Sequence, residues 1–123
     1  MIYDRTTCPR CQREVSICQG KYANHSISPR TRELCRLSKM RVPPTGTSPE
    51  DYETRAAIVA DLAWQVQDGD PLLTWEYLSG MDSTDRQRLM MVALAGIPLD
   101  RGKVDDIFAW VYQLPAAQFQ EIA

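Results

Sequence analysis

The sequence predicts a mainly α-helical protein, in which an N-terminal β-hairpin plus helix is joined to an α-helical bundle of about four helices. Three observations predict this class. A CxxC pair and an alternating strand pattern lie in the first third of the chain, a Pro/Gly-rich break follows, and helical periodicity with recognisable caps occupies the remainder. The predicted domains are residues 1–42, a linker at 43–49, and a helical domain at 50–123.

The first third carries the residue types and the spacing of a metal site. Cys8 and Cys11 are two residues apart, and one His and one further Cys follow, at His25 and Cys35. Structural Zn²⁺ takes four Cys or His ligands in a tetrahedron, and a closed shell leaves no position for a reacting water. The sequence therefore predicts a zinc-finger-like module at 1–42, with Cys8, Cys11, His25 and Cys35 holding a structural Zn²⁺.

Cys18 competes with His25 for the third ligand position. Residues 14–18 alternate, and Gln19-Gly20 is typical of a two-residue hairpin turn, which pairs Cys18 with Lys21. His25 then lies near the base of the hairpin, whereas Cys18 lies at its tip, about 13 Å away at ~3.3 Å per residue. This favours His25. The alternative is an iron–sulfur site that uses all four cysteines.

The next segment is predicted to be a helix from about residue 29 to 39, because Ser28-Pro29 is typical of an N-cap followed by a first-turn proline. This helix would carry Cys35 on one face and a basic stripe on another. Basic side chains on an exposed helix can hold phosphates or guanine edges. The candidate nucleic-acid-binding residues are Arg32, Arg36 and Lys39, extended by Arg10, Arg13 and Lys21. The alternative is an ordinary solvated face.

Charge divides the chain in two. Residues 1–45 contain nine Lys/Arg and three Asp/Glu, a net charge of +6, while residues 46–123 contain five and thirteen, a net charge of −8. Any polyanion is therefore expected at the first part. The alternative is that the two parts attract each other within the molecule.

The helices of the second part are predicted from their caps and periodicity. The first should follow Ser48-Pro49 and run to about residue 67. Its inner stripe is predicted to consist of Tyr52, Ala56, Val59, Ala63 and Val66, widened by Ile58 and Leu62. Three more helices and a short C-terminal turn complete the prediction. The second helix is capped by Asp70 and ends at Gly80. The third, a central apolar helix, begins near Asp82 or Ser83 and contains 89–95. The fourth is capped by Asp100 and has its apolar face at Val104, Ile107, Phe108 and Val111, and the C-terminal turn follows Leu114-Pro115.

No catalytic arrangement is apparent, and the protein is not expected to be an enzyme or to bind a small-molecule substrate. Residues 46–123 contain no His and no Cys, and the chain has no GxxxxGK[ST], GxGxxG or HExxH motif. The longest apolar run, 89–97, is far short of the roughly 20 residues that span a bilayer. The N-terminal residues lack the apolar region of a secretion signal, so we expect a cytoplasmic protein without membrane contact.

The run Cys8-Pro9-Arg10-Cys11, the hairpin with Gly20-Lys21-Tyr22, and then His25 and Cys35 resemble the CPxC…H…C zinc modules of phage proteins, especially those of actinobacterial phages. The resemblance covers about the first 40 residues. It implies an intracellular, phage-encoded accessory protein with a structural zinc, located in the host cytoplasm, and it implies no catalytic residue.

Two functions fit these observations. One is a zinc-stabilised regulator that contacts nucleic acid or the transcription machinery through its basic module. The other is a protein-interaction module in which the acidic helical domain binds a host protein and zinc is only structural. The sequence sets no oligomeric state.

Overall fold

The computed structural model describes residues 4–109, which form a small antiparallel sheet followed by helices. The strands lie in the order β1-β2-β3, and α1 packs against both α2 and α3. The elements are β1 (Arg5–Thr7), β2 (Glu14–Cys18), β3 (Lys21–Tyr22), α1 (Pro49–Asp68), α2 (Pro71–Ser79), α3 (Ser83–Ala95), a 3₁₀ turn (Leu99–Arg101) and α4 (Val104–Phe108). The prediction of a mainly helical protein with an N-terminal hairpin is confirmed at this level.

The β2–β3 hairpin has the predicted register. Ile17 pairs with Tyr22 and Cys18 with Lys21. Both turn residues have positive φ, 54° at Gln19 and 76° at Gly20, as the favoured two-residue hairpin turns require. β1 was not predicted, because a three-residue edge strand is too short to show alternation.

The predicted helix at 29–39 is wrong. This segment contains turns and one isolated bridge, between Ser26 and Leu34. The Ser28 hydroxyl accepts a hydrogen bond from the Arg30 N–H at 3.2 Å, so Ser28 closes a local turn instead of capping a helix. The module is therefore a three-stranded sheet plus loops, and the basic helical stripe does not form.

The predicted caps of α1 and α2 and the predicted start of α3 are confirmed. Ser48 and Asp51 form a reciprocal capping box at the start of α1. The Asp70 side chain accepts from the Leu72 N–H at 3.1 Å, and the Asp82 side chain accepts from the Thr84 N–H at 3.0 Å. Each such cap typically contributes about 1 kcal/mol.

The prediction of a helix capped by Asp100 is wrong. Asp100 lies in the 3₁₀ turn, and α4 begins only after Lys103. The predicted Val111 and the turn after Leu114-Pro115 lie outside the described residues.

The packing faces of α1 and α3 differ in part from the predictions. In α1 the predicted Ile58 and Leu62 are buried, and Arg55, which was not predicted, is buried with them. The predicted Tyr52 is exposed instead. In α3 only Leu89 is buried among the described residues, so this apolar helix is not the centre of the bundle.

One hydrophobic cluster joins the N-terminal module to the helices. Its members come in equal numbers from the two sides of the connector, so neither side has a separate core in residues 4–109. They are Cys8, Val15, Tyr22, Cys35, Leu37, Ile58, Leu62, Tyr77, Met81 and Leu89. The division into domains at 43–49 stays a prediction.

The connector is held in place by a buried cation. Arg55 is only 1% exposed, and its guanidinium donates to the carbonyls of Pro44, at 3.2 Å, and Gly46. Because a buried charge is costly without partners, these bonds fix the connector against α1. Within residues 4–109, none of the helices combines the length and the apolar character needed to cross a membrane.

Candidate metal centre

The first two thiols lie on the tight turn between β1 and β2. The Cys8 N–H donates to the Arg13 carbonyl at 2.8 Å, and the Gln12 N–H donates to the Cys8 carbonyl at 2.9 Å. Gln12 has φ of 63°, which lets the chain reverse directly after Cys11. Cys8 is completely buried as a result.

His25 follows β3 and is oriented by its own backbone neighbourhood. Its Nδ1 lies 2.8 Å from the Ala23 carbonyl oxygen. Because a carbonyl only accepts hydrogen bonds, Nδ1 carries the proton and Nε2 presents a lone pair. Nε2 is buried and has no hydrogen-bond partner within the described range. A histidine bound through one nitrogen and oriented through the other has this arrangement.

Cys35 is brought to the same place by the backbone. Its N–H donates to the His25 carbonyl at 2.8 Å, beside the Ser26–Leu34 bridge. Its Sγ lies 3.8 Å from the Sγ of Cys8, too far apart for a disulfide. Two sulfurs on a tetrahedral zinc with Zn–S of about 2.3 Å are separated by roughly 3.8 Å.

The structure thus brings together the four residues predicted as ligands. One ligand atom from each of Cys8, Cys11, His25 and Cys35 lies within 4.8 Å of all the others, close enough to bind a metal ion. Cys18 is exposed at the hairpin turn and is not part of this group. The set of four cysteines required by the iron–sulfur alternative is not assembled in residues 4–109.

Burial shapes the chemistry of these thiols. Desolvation by burial, with a smaller contribution from the neighbouring Cys35, raises the pKa of Cys8 to about 12. A cation in the group would favour the thiolates, because a bound metal ion reverses the local electrostatics. The donor set of three sulfurs and one imidazole nitrogen suits Zn²⁺.

Ser38 is part of the site and was missed from the sequence. Its hydroxyl accepts from the His25 backbone N–H at 3.2 Å and lies 3.4 Å from Nδ1. A signal was available, because C-x-x-S at 35–38 repeats the spacing of C-x-x-C at 8–11. In both cases the following residue has positive φ, 63° at Gln12 and 70° at Lys39.

Three of the six candidate nucleic-acid-binding residues are used inside the protein. Arg10 donates to Glu76 at 2.8 Å, and Arg36 pairs with Asp70 and with Glu76. Arg13 donates to both the carbonyl and the hydroxyl of Ser26 at 2.8 Å. The basic module and the acidic helices therefore do attract each other, as the alternative interpretation of the charge division proposed.

The other three candidates are placed differently. Lys21, Arg32 and Lys39 are exposed and form no ion pair with any residue of 4–109. Lys21 and Lys39 line one cleft together with Arg41 and Trp64, whereas Arg32 does not line it. Trp64 was not predicted as a site residue, since its place in the helical pattern gives no sign that it faces the basic module.

The sequence was compared with family models, with curated proteins and with solved structures. Neither the curated proteins nor the solved structures provide a match. A family model matches residues 3–118, which includes all four residues of the metal-ligand group. The chain belongs to this family, DUF7368, described as a family of unknown function.

Proposed function

We propose that this protein is a zinc-stabilised binding protein whose N-terminal module contacts nucleic acid. The observation that carries the zinc part of the proposal is that the buried Nε2 of His25, a residue grouped with three cysteine thiols, has no hydrogen-bond partner among residues 4–109. An unpaired buried acceptor is costly, and coordination would satisfy it. Zinc is the proposed ion.

The proposed role of the ion is structural. Four protein ligands complete a tetrahedral shell, so no coordination position is left for a substrate or a reacting water. Cys8 and Cys35 also belong to the shared hydrophobic cluster, at 0% and 2% exposure. An ion held there would stabilise the contact between the module and the helices, and we propose that it takes part in no reaction.

The exposed cations support the nucleic-acid part of the proposal. Lys21, Arg32 and Lys39 lie on the module that carries the excess of positive charge, and no described carboxylate neutralises them. Such side chains hold phosphates, and they release counterions when they do so.

Two measurements test this proposal. Elemental analysis should find one zinc per chain, which Cys35→Ser should lose and Cys18→Ser should keep. Retention on nucleic acid should fall steeply with added salt. Zinc retained by Cys35→Ser would contradict the metal assignment, and no retention even at low salt would contradict the nucleic-acid contact.

A second candidate function, binding of a partner protein, is favoured by one observation. An apolar cleft of about 380 Å³ lies between α1 and α3, lined by residues that include Val59, Leu62, Val66, Leu89 and Met90. An amphipathic helix commonly fills such a groove, and the net charge of −8 on residues 46–123 favours a basic one.

This second function has its own matched test. Met90 lines the cleft, while Met91 does not, and both are 62% exposed. Met90→Asp should abolish binding of a basic amphipathic helical peptide, and Met91→Asp should leave it. Equal effects of the two substitutions would contradict this binding mode.

A further inference from the structure

A second cleft lies where β3 and the chain after Cys35 meet α1. Its volume is about 230 Å³, and its lining includes Lys21, Lys39, Arg41, Asp61, Trp64 and Gln65. This volume is below the roughly 300 Å³ at which pockets enclose whole drug-sized ligands. The cleft therefore suits one base and its neighbouring phosphates more than an entire enclosed cofactor.

The charged lining of this cleft is mainly cationic. Three cations face one carboxylate, and that carboxylate, Asp61, pairs with Arg41. Lys21 and Lys39 have no ion-pair partner anywhere in 4–109. Two ammonium groups are thus left to bind an anion.

The backbone holds these cations in fixed positions. Lys21 forms an antiparallel bridge with Arg41. Lys39 has φ of 70°, an uncommon value for a residue with a side chain, and its N–H donates to the Tyr22 carbonyl at 2.8 Å. The Arg41 carbonyl accepts from the Tyr77 hydroxyl at 2.7 Å. Non-glycine residues with positive φ are found preferentially at functional sites.

Trp64 gives the cleft an exposed aromatic face. It is 58% exposed on α1. A Cβ at Gly69 would lie 2.9 Å from the Trp64 ring, so the glycine lets the ring lie close against the end of the helix. An exposed indole beside two unpaired lysines combines a stacking surface with phosphate ligands.

We infer that this cleft binds single-stranded nucleic acid, with a base stacked on Trp64 and adjacent phosphates on Lys21 and Lys39. The inference rests on the proposed nucleic-acid contact and specifies where it occurs and with which form. In a duplex the bases are already stacked on each other, so the aromatic face favours the single strand.

The test is fluorescence anisotropy of a labelled oligothymidylate of about 12 nucleotides, and of a duplex of the same length, with the zinc-loaded protein. Trp64→Ala should weaken binding of the single strand by roughly fivefold to 150-fold, and Trp64→Phe should retain most of it. Replacing both lysines by Gln should reduce the slope of log affinity against log salt by about 1.4, at ~0.7 per phosphate contact.

The chain offers matched controls for both changes. Trp75 is 54% exposed and does not line the cleft, and Lys103 is likewise exposed elsewhere. Trp75→Ala and Lys103→Gln should leave binding unchanged. Zinc content and far-UV circular dichroism, measured on every variant, separate lost contacts from lost folding.

Each outcome decides between the proposals. Tight binding that Trp64→Ala and the lysine changes leave within twofold overturns this inference and keeps the proposed function. Preference for the duplex also overturns the inference. Equal displacement by polyglutamate overturns it as well, since the cleft would then bind any polyanion. No binding to either probe at low salt overturns the inference together with the nucleic-acid contact on which it rests.

Discussion

Removal of zinc is expected to destabilise the whole described protein in a single step. The proposed ligands come from three separate segments: the turn at 8–11, His25 and Cys35. Because an unfolded chain therefore offers no preformed site, the ion stabilises mainly the native state. With free zinc about a thousandfold above Kd, that stabilisation is ~4 kcal/mol. For a chain of this size each kcal/mol shifts the melting temperature by roughly 3–5 °C, so we expect a decrease of about 12–20 °C.

The assay is thermal unfolding followed by circular dichroism, before and after treatment with a chelator. Because half of the shared hydrophobic cluster lies in the N-terminal module, the helices should not keep a separate transition at the original temperature. Cys18→Ser should behave like the unmodified protein, since Cys18 is exposed and outside the ligand group. A melting temperature unchanged within about 2 °C, in protein shown by elemental analysis to have lost its zinc, would refute the reasoning.

Three further substitutions test how the module is attached to the helices. Glu76→Gln weakens two partly exposed ion pairs, with Arg10 and Arg36, and should lower the free energy of unfolding in urea by about 1 kcal/mol. The loss should be smaller at high salt, and an equal loss at all salt concentrations would contradict a role for these ion pairs. Tyr77→Phe removes a partly buried hydrogen bond and should cost about 1–2 kcal/mol in the same assay. Burial raises the pKa of Tyr77, so the stability that its neutral form contributes is fully present below pH ~10 and decreases as the pH rises above that value. In an alkaline titration, Tyr77→Phe should reduce this loss of stability. Gly80→Ala places a Cβ against the Pro9 backbone and should lower the stability by about 1–3 kcal/mol, whereas an unchanged melting temperature would show that this contact is not close.

Features set by neighbouring residues were predictable from the sequence. The Gln19-Gly20 turn and the caps at Ser48 and Asp70 each involve groups within a few residues of one another, and all three were predicted. The start of α3 was predicted near Asp82 or Ser83, and Asp82 is its cap. The assembly of the ligand group was also predicted, from the C-x-x-C…H…C pattern together with the hairpin register, which places His25 on the side of the CxxC turn. Cys35 joins the group from a segment of turns and a bridge and not from the predicted helix.

Features set by distant contacts were not predictable. The segment at 29–39 has helical signals, but the hydrogen bond from the Cys35 N–H to the His25 carbonyl and the isolated bridge between Ser26 and Leu34 hold it against the preceding chain as turns and a bridge. The basic residues expected on that helix are separated: Arg36 pairs with Asp70 and Glu76, and Lys39 lines the cleft at Trp64. These partners are not near Arg36 or Lys39 in sequence. Arg32 neither forms an ion pair within residues 4–109 nor lines that cleft. The buried face of α1 likewise depends on Arg55 binding the connector.

The resemblance between the turns at 8–11 and 35–38 has a consequence for how the ligand set could change. The first turn supplies two sulfurs, whereas the second supplies one sulfur and a hydroxyl that supports His25. Replacing Ser38 with cysteine would restore the C-x-x-C spacing of the first turn and offer a fourth sulfur beside His25. A chain with cysteine at position 38 and a small residue at position 25 should therefore hold the same ion. A single exchange of ligands, imidazole for thiolate, would then convert this site into one with four sulfurs.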